Sequence, residues 1–154
     1  MDSIQIRAAV LEDIDTLLIF EQGVIQAERP FDCTLKPNPT HYYNIQQMIS
    51  SAHVHLVVAV LNGNLIGSGY ARIESSKFYL QHEKHSYLGF MYVLPEHRGK
   101  AVNSLIIDAL KTWTLAQGIT EMRLNVYMDN DSAIKAYEKV GFEKHMVEMR
   151  LGLT

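Results

Sequence analysis

The chain has 154 residues and a mass of 17.5 kDa; 47% of its residues are apolar and 20% charged. That balance belongs to an ordinary globular domain and excludes wholesale disorder, a collagen-like repeat or a coiled-coil rod. With 14 Lys and Arg against 17 Asp and Glu, the formal net charge is −3, the wrong sign for a strongly basic nucleic-acid binder.

Residues 4–8 alternate and read as a short first strand. Glu12 and Asp13 then open a helical pattern with Ile14, Leu17 and Leu18 at three-to-four spacing, extending to Glu21–Ile25. Arg29, Pro30, Phe31 and Asp32 break it. After a Pro-containing loop, Thr40 is a candidate N-cap for a helix over 41–52. Residues 54–61 are β-rich, Asn62-Gly63-Asn64 is a turn, and residues 65–74 alternate again, so a hairpin is expected. Its second arm is expected to run on toward Leu80, with a further turn at 81–84. A strand over 86–93 ends at Leu94-Pro95. A helix is expected over 101–117, with Leu105, Ile106, Ala109, Leu110 and Trp113 on one stripe and Gly118 as its stop. A strand over 122–127, a helix over 130–140 ended by Gly141, and a last extended segment over 142–151 complete the chain. The order β-α-α-β-β-β-α-β-α-β describes one mixed α/β domain over residues 3–152, with a central twisted sheet flanked by helices.

No apolar run approaches the roughly 18–20 residues of a membrane span, and no signal-peptide core follows Asp2 and Arg7. The one cysteine, Cys33, can close no intrachain disulfide, which fits a reducing cytoplasm. His53 with His55, and His82 with His85, are pairs without a further ligand cluster, so no metal is expected. Tyr42, Tyr43 and Trp113 read as packing residues.

Two segments carry chemistry. In the first, a strand ends at Val93, and the turn Pro95-Glu96-His97-Arg98-Gly99-Lys100 leads into a helix. The first N–H groups of a helix lack intrahelical acceptors and, with the helix dipole, attract an anion. Arg98 and Lys100 add positive charge there, and a phosphate or pyrophosphate is the natural ligand. The spacing is neither that of a P-loop nor that of a dinucleotide-binding fingerprint. The second segment is Asn130-Asp131-Ser132-Ala133-Ile134-Lys135-Ala136-Tyr137, followed by Gly141-Phe142. Asn130 can cap this helix. Ala133 and Tyr137 share one face at i,i+4 spacing, a small residue beside a phenol.

Together the two segments resemble the GNAT N-acetyltransferase superfamily. The pattern R-x-x-G-x-G/A of its cofactor turn, usually R-G-x-G-I-G, is approached by Arg98, Gly99, Lys100, Ala101, Val102 and Asn103. The helix pattern N-x-x-A-x-x-x-Y-x-x-x-G-F is matched in full by Asn130, Ala133, Tyr137, Gly141 and Phe142. Ala101 and Asn103 replace glycines of the pattern; an alanine in the first turn of a helix carries little conformational cost. Tyr87, Gly89 and Phe90 hold no carboxylate on the strand where many relatives carry one.

The resemblance implies transfer of an acetyl group from acetyl-CoA to an amine, with no metal. Backbone groups of Met91, Tyr92 and Val93 would contact the pantetheine arm and thioester. The N–H groups of Arg98, Gly99, Lys100, Ala101, Val102, Asn103 and Ser104 would hold the pyrophosphate. Asn130 and Ala133 would contact the cofactor arm, and Tyr137 would protonate the departing thiolate. A phenol near pKa ~10 and a thiol near ~8.5 are roughly matched for that transfer. Deprotonating a lysine-type amine at pH 7 costs about 4–5 kcal/mol, which calls for a base. Glu28, Glu74 and a water relay past Tyr92 or a histidine are the candidates. The acceptor is an amine of a small molecule or of a protein, the location cytoplasmic, and a homodimer is compatible with the sequence; nucleic acid and membrane are not expected partners. The second reading is a non-catalytic acyl-CoA-binding or sensing module.

Overall fold

The computed structural model describes residues 3–154. Its elements in chain order are β1 (Gln5–Ala8), α1 (Ile14–Glu28), α2 (Ile45–Ser50), β2 (Val54–Leu61), β3 (Asn64–Ser75), β4 (Lys84–Val93), α3 (Val102–Ala116), β5 (Met122–Arg123) and α4 (Asp131–Lys139). One sheet of order β1-β2-β3-β4-β5 forms the centre, antiparallel except for the parallel pair β4 and β5.

The strand alternation distributes two cores. Leu56 and Val58 of β2 face one side, where Tyr70 and Phe90 join Leu17, Phe20 and Val24 of α1 and Ile45 of α2. Val57 and Ala59 face the other, where Ile66, Ala71 and Leu88 meet Val102, Ile106 and Leu110 of α3. Side chains two apart on a strand share a face, so each β2 residue between 56 and 59 alternates between helices. Close approach of α3 needs Gly69: a Cβ there would lie 2.7 Å from both the Ile106 Cγ2 and the Met91 Sδ.

Several expected boundaries move, each for a tertiary reason. The second helix starts at Ile45, not near His41, with Asn44 rather than Thr40 as its cap, accepting from the Gln47 N–H at 3.1 Å. The backbone N–H groups of Tyr42 and Tyr43 are taken instead by Oε2 of the fully buried Glu21, at 2.9 and 2.8 Å. The second hairpin arm ends at Ser75 rather than reaching Leu80; Leu80 N–H bonds back to the Lys77 carbonyl in a turn. The fifth strand pairs over Met122 and Arg123 alone, not over 122–127. The expected last strand over 142–151 does not pair at all: residues 143–154 are exposed and carry no regular structure. A strand exists only by virtue of a neighbour, and local alternation cannot supply one.

Candidate active site

The sheet opens at its β4 edge. The register between β3 and β4 shifts between Ser68 and Tyr70, so that Phe90 and Met91 together oppose Gly69. Phe90 takes up the bulge with a φ of 54°, and Ser68 Oγ donates to its carbonyl at 2.9 Å. A bulge of this kind bends its strand and leaves a residue unpaired. β4 continues to Val93, whereas β5 pairs only with Ser86 and Tyr87. The β5-side edge from Leu88 to Val93 therefore has no strand neighbour among the described residues, and backbone groups of Met91, Tyr92 and Val93 border that opening.

β4 leads directly into the basic turn. Arg98 is not a free cation: its Nε donates to the Val93 carbonyl at 2.9 Å and its guanidinium lies 5.7 Å from the centre of the Tyr92 ring. Gly99 has a φ of 76°, which glycine adopts without strain. Ala101 lies just outside the helix as its cap, at φ 65°. It is not in the first helical turn, as expected, but in the left-handed region, where a Cβ costs roughly 1–2 kcal/mol. No side chain caps α3, and its first helical bond runs from the Leu105 N–H to the Ala101 carbonyl at 3.2 Å. The N–H groups of Val102, Asn103 and Ser104 thus precede the first intrahelical donor, Leu105, and lie beside exposed Gly99 and Lys100. This is a donor set for a diphosphate.

α4 supplies the phenol. Asn130 caps it by accepting from the Ala133 N–H at 3.3 Å through Oδ1, which leaves its Nδ2 donors for another partner. Ala133 and Tyr137 are both half-buried on this helix. Tyr137 packs on the α3-side core together with Met91 and Val93, with the Phe142 ring edge-on at 5.9 Å. Burial, then the charges of Glu28 and Tyr87, push its phenol up to about 12.

Glu28, at the end of α1, sits among tyrosines. Burial raises its carboxyl above the ordinary range, and neighbouring Asp32 adds to the rise. The buried Tyr42 hydroxyl has no partner of good hydrogen-bond geometry; it lies beside Glu28 and offsets part of that rise. Glu28 in turn raises the phenols of Tyr43, Tyr127 and Tyr137. Tyr127 donates to Asp32 Oδ2 at 2.8 Å and stacks on Phe31. Asp32 is lowered to about 2, first by the Thr34 hydroxyl. Glu74 is differently placed. It bonds to the Arg72 guanidinium at 2.6 and 3.0 Å and lies 3.5 Å from His85 Nε2, and Tyr137 is raised by Glu28 and Tyr87 rather than by Glu74.

The sequence reading missed Tyr42, Tyr87 and Tyr127 as members of this cluster. No spacing signal could have found them, because they come from three separate segments. Among the described residues no group of three or more His, Cys, Asp and Glu side chains could hold a metal, and no helix is long and apolar enough to cross a membrane.

A sequence profile of the acetyltransferase (GNAT) family matches residues 23–142. A Yersinia pestis protein named acetyltransferase is 28% identical over 112 residues, 71% of this chain and 72% of that one. The crystal structure of a mutant of the BH1408 protein from Bacillus halodurans superposes with a TM-score of 0.88 at 20% identity, covering 97% of this chain and 99% of that one. The aminoglycoside N-acetyltransferase AAC(6')-Iy, solved with CoA, superposes with a TM-score of 0.76 at 21% identity, covering 99% and 96%. At these identities the two structures establish a shared fold.

Proposed function

The chain belongs to the GNAT acetyltransferase family, and on that premise we propose that it transfers the acetyl group of acetyl-CoA to the nitrogen of an amine by direct attack. The observation that carries this reading is the meeting of two half-buried groups from opposite sides of the sheet: the Tyr137 phenol on α4, raised first by burial and then by the charge of the Glu28 carboxylate at the end of α1.

The residues present fit the co-substrate. The uncapped N–H groups of Val102, Asn103 and Ser104, with Gly99, Ala101 and the Lys100 charge, would hold the diphosphate. Arg98 holds the turn against Val93 and Tyr92. Met91, Tyr92 and Val93 would pair their backbone with the pantetheine arm, and Asn130 and Ala133 would flank it. Bound there, acetyl-CoA supplies an activated acyl carbon with a thiolate as leaving group.

Glu28 takes the proton of the acceptor ammonium. Its raised pKa brings it closer to that of the amine and makes it a better base than an exposed carboxylate. Tyr137 holds a proton for the departing sulfur. Against a thiol near ~8.5, a phenol near ~12 is mismatched by about 3.5 units, or roughly 5 kcal/mol. Protonation of Glu28 removes one of the charges that raise Tyr137, so the phenol becomes more acidic as the base takes its proton. Base and acid then act in sequence. Glu74, committed to Arg72 and His85, serves the wall of the site rather than the proton transfer.

The acceptor side, with Glu28, Asp32 and tyrosine hydroxyls, suits a cationic amine, and the aminoglycoside-acetylating relative is consistent with a small-molecule acceptor. Exposed, unpaired Cys33 suits a reducing cytoplasm. A thiol-release assay with acetyl-CoA across a panel of polyamines, aminoglycosides, amino acids and peptides tests the reading. Turnover with one class supports it. With that substrate, Tyr137→Phe is expected to lose about 10²–10⁴-fold in kcat at little cost in CoA affinity. CoA binding without turnover on any amine would establish the sensing module instead.

A further inference from the structure

Tyr127 makes a bond that the proposed reaction does not use, between the segment that carries Glu28 and the segment that carries Tyr137. In the first segment, α1 runs straight into a 3-10 turn over Arg29–Phe31, and the Asp32 N–H closes that turn on the Arg29 carbonyl at 3.3 Å. Asp32 then gathers its own loop: its Oδ1 accepts from the Thr34 N–H at 2.9 Å and from the Thr34 hydroxyl. In the second segment, Tyr127 opens a turn whose last residue is Asn130, with the Asn130 N–H on the Tyr127 carbonyl at 3.0 Å. Such an i to i+3 bond closes a β-turn and fixes its first residue against its last. Asn130 is also the cap of α4.

One side chain joins the two segments. Tyr127 Oη donates to Asp32 Oδ2 at 2.8 Å across 95 residues of sequence, and its ring stacks on Phe31 with centres 6.1 Å apart and planes 19° apart. Among the described residues no other side-chain hydrogen bond runs between 29–43 and 124–142. Arg150 Nη1 also reaches Asp32 Oδ1, at 3.5 Å, but from outside both segments. The bond holds at both ends. Asp32 is kept ionised, lowered to about 2, while burial and then Asp32 push the Tyr127 phenol up to about 12, so it keeps the proton it donates. A donor to an ionised carboxylate makes one of the stronger hydrogen bonds. Its partners are already ordered, Asp32 by Thr34 and Tyr127 by the Phe31 ring and the turn, so little side-chain entropy is lost in making it. From Glu28 the path runs through the 3-10 turn, Asp32, Tyr127 and Asn130 into the helix of Tyr137.

We propose that Tyr127 is a positioning residue that couples the two substrate sites: a CoA arm resting on the Asn130 cap restrains Tyr127 and, through Asp32, the loop 29–34 on the acceptor side. The inference rests on the cofactor reading above, and CoA alone tests it without any acceptor. Hydrogen exchange of the whole chain, read by mass spectrometry, follows both sites at once. In the wild type, CoA is expected to slow exchange about 5-fold or more at 102–104, at 130–133 and at 29–35. Tyr127→Phe keeps the ring on Phe31 and removes only the hydroxyl. In that variant the slowing at 102–104 and 130–133 and the Kd for CoA are expected to stay, and the slowing at 29–35 to vanish. With the amine that the thiol-release panel identifies, KM for the amine is expected to rise about 5-fold at unchanged KM for acetyl-CoA, whereas a merely loosened fold raises both and lowers Tm. Slowing at 29–35 that persists in the variant overturns the coupling and leaves the cofactor reading standing. So does its absence from the wild type while 102–104 and 130–133 are slowed. CoA that slows neither 102–104 nor 130–133 overturns that reading, and this inference with it.

Discussion

Burial, and after it the charge on Glu28, raises the Tyr137 phenol, and the proposed roles of the candidate residues are ordered by that coupling. Two glutamates compete for the role of base on sequence alone, and neither is placed by a motif. Their surroundings differ, and on that difference Glu28 is the proposed base: burial raises Glu28, whereas Glu74 is drawn into ion pairs with Arg72 and His85. A pH dependence follows. With Glu28 as base, kcat/KM falls on the acid side with an apparent pKa above the ordinary carboxylate range of about 4.3, and Glu28→Gln removes that limb together with most of the rate. Stability should move the other way. The folded pKa lies above the unfolded one, so the native state binds more protons across that window and loses stability as pH rises through it. At pH 7 Glu28→Gln is therefore expected to raise Tm. A thermal melt checks this, and a lowered Tm would contradict the assignment of Glu28 as a desolvated carboxylate.

At the scale of elements, the acceptor side depends on how the segment before α2 is held. Glu21 is completely buried and gives one oxygen to His41 Nδ1 at 2.7 Å and the other to the N–H groups of Tyr42 and Tyr43. It thus ends any helix before Asn44 and positions Tyr43 against Phe90, ring centres 4.5 Å apart. Glu21→Ala would leave two part-buried backbone donors without their acceptor and open a hole at a fully buried side chain, and is expected to cost about 3 kcal/mol. A shifted urea midpoint at unchanged slope would measure it. Because the tyrosines beside Glu28 shift with this segment, KM for the amine should rise more than KM for acetyl-CoA. The segments proposed to hold the cofactor are legible for a different reason. Turn, helix start and cap lie within one short stretch each, at 93–104 and 130–142, so their spacing is already their geometry.

For the whole molecule, a net charge of −3 coexists with a cationic turn at Arg98 and Lys100, and the two act over different distances. Screening reduces both beyond the Debye length of about 8–10 Å, so a phosphate at the proposed cofactor site would meet the local turn rather than the net charge. Lys100 makes no bond or ion pair that ties it to the fold among the described residues and is free to meet a phosphate. Lys100→Ala is expected to weaken CoA about 3–10-fold, and the difference from wild type should shrink as salt rises from 50 to 500 mM, roughly. Calorimetric titration at two salt concentrations measures it.

The sequence by itself determined the central hairpin, whose β2 bounds come out as the alternation predicts, the helix α3 packed on it, and the turn and helix starts of the two segments proposed to hold the cofactor. In each of these the causal contacts lie within a few residues of one another: a turn, a cap, a repeating face. Tertiary structure alone decided the rest. The second helix begins late because a carboxylate 21 residues upstream takes its first donors. Ala101 is left-handed because the chain must turn from the sheet edge into α3. The fifth strand is short and the segment 143–154 unpaired because strand pairing needs a neighbouring backbone, which alternation does not specify. Glu28 stands apart from Glu74 because burial and partners, unlike residue type, are properties of the folded chain.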